Sequence, residues 1–280
     1  MALTQDQKNQ FQDDGYCVVP DFISTDQIAL LKQRAAEITQ AFDPSSETGV
    51  FSTEDRSASA DRFLLESGDK VRCFLEAGAL DEEGNLTCPQ SQAFNKIGHA
   101  LHDLDPVFNQ FSRQDPIRTV VKDLGITHPE LWQSMYIFKP PRIGGVVNWH
   151  QDATYFFTSP ISVITLWFAL DDATTENGCL WVANSGPNTP LRERFVVNEG
   201  KSELVSCNAE PWPEAEEAAP LPVPAGALVC FQGTLPHYSA PNTSAHPRHA
   251  YTLHITDSQA EYAANNWLQR GPELPIRGFD

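Results

Sequence analysis

Several features are missing from this 280-residue chain, and each absence removes a class of protein. It opens Met1-Ala-Leu-Thr-Gln-Asp6, without the basic start and apolar stretch of a secretory leader, and no apolar run approaches the ~20 residues that span a bilayer. Its six cysteines, at positions 17, 73, 88, 179, 207 and 230, include no Cys-x-x-Cys pair and no cluster of metal-ligand spacing. Reduced, buried thiols and a soluble, reducing, cytoplasmic location are therefore expected. Basic residues are scarce: 19 Lys and Arg stand against 37 Asp and Glu, a net charge of −18. That balance disfavours nucleic acid and anionic membrane surfaces as partners and fits a small-molecule substrate better than a polyanion. It also argues mildly against a large acyl-CoA ligand, which would need a basic cleft. The oligomeric state is not readable from the pattern.

What is present fills one large domain, residues 1–280, since 41% hydrophobic content at this length is enough for a full core. Thr4 with Gln7 reads as a capping box opening a short helix that Gly15 ends, and Ser24 with Gln27 as a second. Behind the second, Ile28, Leu31, Ala35, Ile38 and Phe42 recur at helical spacing and form one apolar stripe. Residues 43–61 read as a surface loop and 62–125 as helical or irregular support. From about Leu131 the period shifts: Leu131 to Phe138, Val163 to Leu170, Cys179 to Val182, Ala227 to Phe231 and Arg248 to Thr256 are short, apolar and divided by Gly, Pro and Asn turns. Such strands imply a sandwich or barrel, so the expected class is mainly β with helical additions. Asn177-Gly178 is a tight-turn dipeptide. The acidic, proline-rich stretch of about 185–224 exceeds an ordinary connection and reads as a solvated loop or a lid.

The chemistry centres on His150-Gln151-Asp152. Residues at i and i+2 of a strand share a face, so His150 and Asp152 can ligate one metal while Gln151 faces away. Two imidazoles and a carboxylate on one face of an octahedron suit Fe(II) and leave the opposite face open. His237 follows the strand Gly226 to Gln232 and is a candidate third ligand, with His246, His249 and His254 as rivals; His99 and His102, on an expected helix, are weaker ones. Arg248 shares a strand face with Ala250, Thr252, His254 and Thr256, and a guanidinium inside an apolar barrel calls for a carboxylate partner. On the residues alone, Met135 and Trp167 read as core, Lys96 as a solvated helix lysine and Ser239 as a turn residue. Tyr155, Phe156 and Phe157 read as an apolar pocket wall or as core.

With these motifs on the page, the chain resembles the phytanoyl-CoA dioxygenase family of Fe(II)/2-oxoglutarate oxygenases, and within it the phytanoyl-CoA dioxygenase domain-containing proteins. The resemblance runs nearly end to end, through Phe11-Gln-Asp-Asp-Gly15, Ser67-Gly-Asp-Lys-Val-Arg72, Asn95-Lys-Ile-Gly-His-Ala-Leu-His102, Gln133-Ser-Met-Tyr-Ile-Phe-Lys139, His150-Gln-Asp-Ala153, Asp172 to Trp181 and Pro236-His-Tyr-Ser239, to the closing Glu261–Leu268. It implies a double-stranded β-helix, or jelly roll, with N-terminal helices outside it. It implies His150, Asp152 and His237 as iron ligands, with Arg248 clamping 2-oxoglutarate and Lys96, Met135, Trp167 and Ser239 lining the cosubstrate site. Gln133, Lys139 and Trp149 are candidate substrate-side residues. The activity implied is hydroxylation of a small organic substrate by O2, coupled to conversion of 2-oxoglutarate to succinate and CO2. An intact Asp152 argues against halogenation, because halogenating relatives carry a small residue there. Two other readings stand beside it: a metal- and 2-oxoglutarate-binding sensor without turnover, and a zinc-dependent hydrolase or isomerase on the same ligands.

Overall fold

The computed structural model describes residues 2–43, 49–51, 62–183, 189–214 and 217–280. The chain begins with α1 (Gln5–Asp14), whose Thr4/Gln7 capping box is formed and which Gly15 ends at φ 81°. Strand β1 (Tyr16–Val19) and α2 (Thr25–Gln40) follow, the latter opened by the Ser24/Gln27 box. The α2 stripe packs as its spacing predicts: Leu31 and Ala35 are buried, with Ile28, Ile38 and Phe42 against the same core.

Residues 62–125 depart from the helical or irregular expectation. After β2 (Gly49–Phe51) and the short α3 (Arg62–Leu65) come two full strands, β3 (Val71–Glu76) and β4 (Phe94–His99). Each has one face on the core beneath the helices and the other at the cavity, and β4 turns Asn95, Lys96 and His99 to it, so Phe94-Asn-Lys-Ile-Gly-His99 shows neither a helical stripe nor a clean apolar alternation. Lys96 is thus a buried strand residue instead of a solvated helix lysine. Most of the expected 43–61 loop lies outside the described residues. Helices α4 (Leu101–Leu104), α5 (Pro106–Ser112) and α6 (Asp115–Asp123) complete the outer layer, α5 being capped by Asp105.

The strands expected from Leu131 onward are present. They are β5 (Pro129–Ile137), β6 (Val147–His150), β7 (Thr158–Ser159), β8 (Ile164–Ala169) and β9 (Leu180–Ala183), then β10 (Glu193–Asn198), β11 (Lys201–Ser206), β12 (Ala218–Leu221), β13 (Leu228–Gln232), β14 (His237–Ser239), β15 (Ala250–Asp257) and β16 (Glu261–Tyr262). An eight-stranded sheet runs β1-β13-β8-β15-β5-β4-β3-β2, and a four-stranded sheet β12-β9-β14-β6 faces it, the two layers of a jelly roll. Parity along the strands assigns each face. In β8, Leu166 and Phe168 meet the helices while Trp167 and Ala169 point between the sheets; in β15, Tyr251, Leu253 and Ile255 go outward while Ala250 faces inward. Both faces being covered explains why β8 and β15 are buried at every residue.

The 185–224 stretch is not a plain acidic loop. It carries the β10–β11 hairpin and β12, which pairs with β9. Phe195 and Leu204, register partners across that hairpin, reach the cavity while its glutamates stay outside, so the charge pattern masked a structured element. No helix among the described residues is long and apolar enough to cross a membrane.

Candidate metal and cosubstrate site

The minor sheet builds the centre of the site. Strands β6 and β14 are neighbours, and His150 and His237 are direct register partners with ring centroids 4.1 Å apart. Asp152 is not on the strand, as the i, i+2 argument supposed; it opens a 3-10 turn, Asp152–Thr154. Gln151 between them is still extended, at φ −124° and ψ 135°, and that one residue preserves the same-side relation. Asp152 Oδ1 lies 3.7 Å from His150 Nε2 and 3.9 Å from His237 Nε2, and one ligand atom from each residue falls within 4.8 Å of the others. These three could hold a metal ion.

The surroundings fit that role. His150 Nδ1–H donates to the Asn148 carbonyl (2.8 Å) and His237 Nδ1–H to that of Leu235 (3.0 Å). A carbonyl only accepts, so both rings are held in the tautomer whose Nε2 carries the lone pair, the usual outer support of a metal-binding histidine. Thr165 Oγ1 donates to Asp152 Oδ2, and His254 Nε2 stands 3.5 Å from the same oxygen with its ring stacked on Phe156. Burial alone would raise the Asp152 pKa, but His254, His237 and His150 together hold it well below the carboxylate range. Gln151 faces away from the triad, as expected, and is fully buried. Its Nε2 donates to the carbonyls of Pro190 (2.9 Å) and Thr234 (2.7 Å), and its Oε1 accepts from the Arg192 amide (2.9 Å).

A cavity of about 420 Å³ opens beside the triad, lined among others by Lys96, Gln133, Met135, Lys139, Trp167, Ser239 and Arg248. Arg248 is 2% exposed. Its Nε donates to the Gly178 carbonyl (3.0 Å) and its Nη2 to Ser239 Oγ (3.2 Å), its guanidinium carbon sits 5.4 Å from the Trp167 ring centre, and Nη1 is buried without a partner among the described residues. Thr252 Oγ1, on the same strand face, is likewise buried and has no partner among the described residues. Two orphaned polar groups on one wall fit an oxygen-rich anion such as a dicarboxylate. Burial lowers the Arg248 pKa to about 10, which leaves it a cation.

Lys139, expected on the substrate side, belongs to this end instead. Its Nζ donates to Ser239 Oγ (2.6 Å) and to the Gly145 carbonyl (2.7 Å), so lysine and arginine converge on one hydroxyl. Burial, then the Arg248 charge, pushes its pKa well down. Lys139 adopts φ 40°, a left-handed conformation held by two donors to its carbonyl, the Arg248 amide (3.2 Å) and Asn242 Nδ2 (3.0 Å). Gly178 makes this possible: at φ 85°, any Cβ there would lie 2.5 Å from Lys139 Cε. Trp149 also departs from expectation; alternation in β6 turns it away from His150, and it packs on Tyr238 (4.6 Å) outside the cavity lining.

Of the rival histidines, His254 is in the site but beyond the triad. His249 bonds Tyr136 Oη (2.9 Å), and His102 bonds Ser134 Oγ (2.8 Å) from α4. His99 closes β4 and lines the cavity. Sequence reasoning missed Thr165 and the β10–β11 contacts, and placed Thr252 on the Arg248 face without giving it a part in the site. Thr165 was within reach of parity, lying two residues before Trp167.

A jelly roll with two histidines and a carboxylate at its open end, beside a buried arginine, defines the class of non-haem iron, 2-oxoglutarate-dependent oxygenases. A family model described as phytanoyl-CoA dioxygenase (PhyH) matches residues 11–250, and the chain belongs to that family. It is 38% identical to a phytanoyl-CoA dioxygenase domain-containing protein 1 of Mus musculus, with 98% of each chain covered. It is 37% identical to a phytanoyl-CoA dioxygenase of Arabidopsis thaliana, covering 96% of this chain and 94% of that one. Among solved structures, the 2-oxoglutarate-dependent carbocyclase SnoK superposes with a TM-score of 0.64 at 16% identity, over 98% of this chain and 96% of that one. The epimerase SnoN, solved with Fe3+, 2-oxoglutarate and a nogalamycin ligand, gives 0.63 at 14% identity and covers 97% of each chain. At these identities the structural likenesses establish the shared fold.

Proposed function

We propose that this protein hydroxylates a small organic substrate, with His150, Asp152 and His237 holding Fe(II) and Arg248, Ser239, Lys96, Met135 and Trp167 holding 2-oxoglutarate. The observation that carries the reading is Arg248: a buried guanidinium with one nitrogen unpartnered among the described residues, beside a site of two histidines and a carboxylate. When bound, iron and 2-oxoglutarate would, together with O2, supply the oxidant for hydroxylating a C–H bond, one oxygen atom going to the product and the other into succinate as CO2 leaves. The chain's own part is placement. Asn148 and Leu235 fix the imidazoles, Thr165 fixes the carboxylate, and Trp167 and Met135 cover the cosubstrate's apolar length and exclude water. Asp152 fills the position that a halide would need, which favours oxygen transfer over halogenation.

A sensor without turnover would share these contacts, and a zinc hydrolase would share the triad; Arg248 disfavours the second, since hydrolysis has no use for a dicarboxylate. Anaerobic reconstitution with Fe(II) and 2-oxoglutarate, followed by oxygen, should yield succinate. His150→Ala should abolish it, and Arg248→Ala should raise the KM for 2-oxoglutarate at least tenfold, as expected for loss of a charged hydrogen bond worth ~1.5–3 kcal/mol. Binding of 2-oxoglutarate without succinate across a broad substrate panel would favour the sensor, and activity unaffected by Arg248→Ala would favour the hydrolase.

A further inference from the structure

Arg248 precedes β15 and His254 lies six residues along, roughly 20 Å at ~3.3 Å per residue, so the cavity has a cosubstrate end and an opposite end. At the opposite end, Gln133 is the register partner of His254 across β5 and β15, and His99 is the partner of the adjacent Ser134 across β4 and β5. The triad lies close by, through the 3.5 Å approach of His254 to Asp152.

Both Gln133 and His99 are buried and line the cavity. The Gln133 amide makes no hydrogen bond among the described residues, so it offers both a donor and an acceptor. The state of His99 follows from its neighbour. The single proton of the Ser67 hydroxyl goes to the Leu64 carbonyl (2.5 Å), so at 2.7 Å from His99 Nδ1 the serine oxygen must accept. His99 therefore carries its proton on Nδ1 and presents Nε2 as a bare acceptor. Burial, then Lys96, His254 and Arg270, push its pKa well down and keep it neutral. The lining here includes Lys96 and His254 as well as the apolar side chains Tyr155, Phe156, Phe195, Leu204 and Trp267, the last edge-on to His99 at 5.2 Å.

We propose that this end of the cavity recognises an uncharged substrate bearing a secondary carboxamide, whose N–H is taken by His99 Nε2 and whose carbonyl by the Gln133 amide. The apolar remainder lies against Phe195, Leu204 and Trp267. A charged head group is disfavoured here, because neither recognition group is ionised to offset its desolvation, and a buried acceptor facing an ester oxygen is left unpaired. At about 420 Å³, shared with a cosubstrate, the cavity admits a small molecule. Pairing the amide beside Asp152 also predicts attack at a carbon close to it. The assignment rests on the oxygenase reading for what happens next, but the recognition can be measured without turnover.

The test is a titration, under anaerobic conditions, of protein loaded with Fe(II) and 2-oxoglutarate, using tryptophan fluorescence and calorimetry with three probes: N-propylbenzamide, propyl benzoate and 4-phenylbutanoate. The amide should bind at least tenfold tighter than the ester or the carboxylate, and the preference should fall to within about twofold in Gln133→Met and in His99→Phe. If His99→Phe fails to fold, by circular dichroism, the Gln133→Met variant decides alone. Equal binding of amide and ester by the wild type, tighter binding of the carboxylate, or a preference undiminished in the folded variants would overturn the proposal. Succinate release is scored separately. Amide selectivity without succinate from any substrate sinks the oxygenase reading alone, and succinate without amide selectivity sinks this one alone.

Discussion

Lys96 shows how one buried cation shapes the protein's response to pH. Its Nζ sits 3.1 Å from the centre of the Phe51 ring, and burial, opposed by Glu76, lowers its pKa from 10.5 to about 7. Between those values the unfolded chain binds more protons than the folded one, so this group makes stability rise with pH across that window; below about 7 the full penalty is present. Lys96→Met should therefore raise the melting temperature of the metal-free protein at about pH 6, with the gain shrinking towards about pH 9. A gain that is constant with pH would mean that Lys96 holds its proton equally in the folded and unfolded chain, so that burial does not depress its pKa. Gly178→Ala acts at the other end. The left-handed backbone costs an alanine ~1–2 kcal/mol, and its Cβ would also displace Lys139 and meet the Ala240 carbonyl at 2.6 Å. Calorimetry should show weaker 2-oxoglutarate binding in that variant as well as a lower melting temperature; unchanged affinity would separate Lys139 from the cosubstrate end.

Among the elements, strands with two distinct faces were the most legible. Arg248, Thr252 and His254 fall on one face of β15 because the period of two holds along it, and both capping boxes formed where Thr4-x-x-Gln7 and Ser24-x-x-Gln27 stand. Strand β4 was not legible because its cavity-facing Asn95, Lys96 and His99 are polar and break the apolar alternation, and β3 because both its faces are covered, with Phe74 at the cavity and Cys73 and Leu75 in the core. The β10–β11 hairpin was hidden by its glutamates, though Phe195 and Leu204 reach inward. That hairpin carries a prediction. Phe195→Ala with Leu204→Ala should raise the KM for substrate while leaving that for 2-oxoglutarate within about twofold, since Phe195 packs on Tyr155 (5.8 Å) whereas Arg248 contacts Gly178, Ser239 and Trp167; a parallel rise in both would show the hairpin to be general support.

Over the whole molecule, distant segments are drawn into one sheet: β1 pairs with β13, and β4 with β5. Beneath the helices, the Asp103 side chain is fully buried among Arg113 (2.7 Å), Arg277 (2.8 Å) and His102 (3.1 Å), with Arg270 at 3.5 Å. This hub ties α4 and α5 to the C-terminal segment, and nothing local in Leu101-His-Asp-Leu104 announces it, since its partners lie up to 174 residues away. Asp103→Asn leaves the cations without a counter-charge and should cost ~3–5 kcal/mol, read as a shift in a urea transition. We propose that residues 1–280 unfold as one unit, so that shift should appear in a single step by both far-UV dichroism and tryptophan fluorescence. Two separated steps would divide the chain into independent domains.

Gln151 has a consequence for anyone wishing to move this site elsewhere. As the middle letter of His-x-Asp it looks interchangeable, yet its three hydrogen bonds fasten the end of β6 to Pro190, Arg192 and Thr234. Transplanting the two histidines and the aspartate onto another jelly roll would carry over the donor atoms without the fastening that spaces them. The smallest portable unit is thus Val147–Asp152 together with the backbone of 190–192 and 234–237, three separate stretches of chain meeting at a residue that touches no metal.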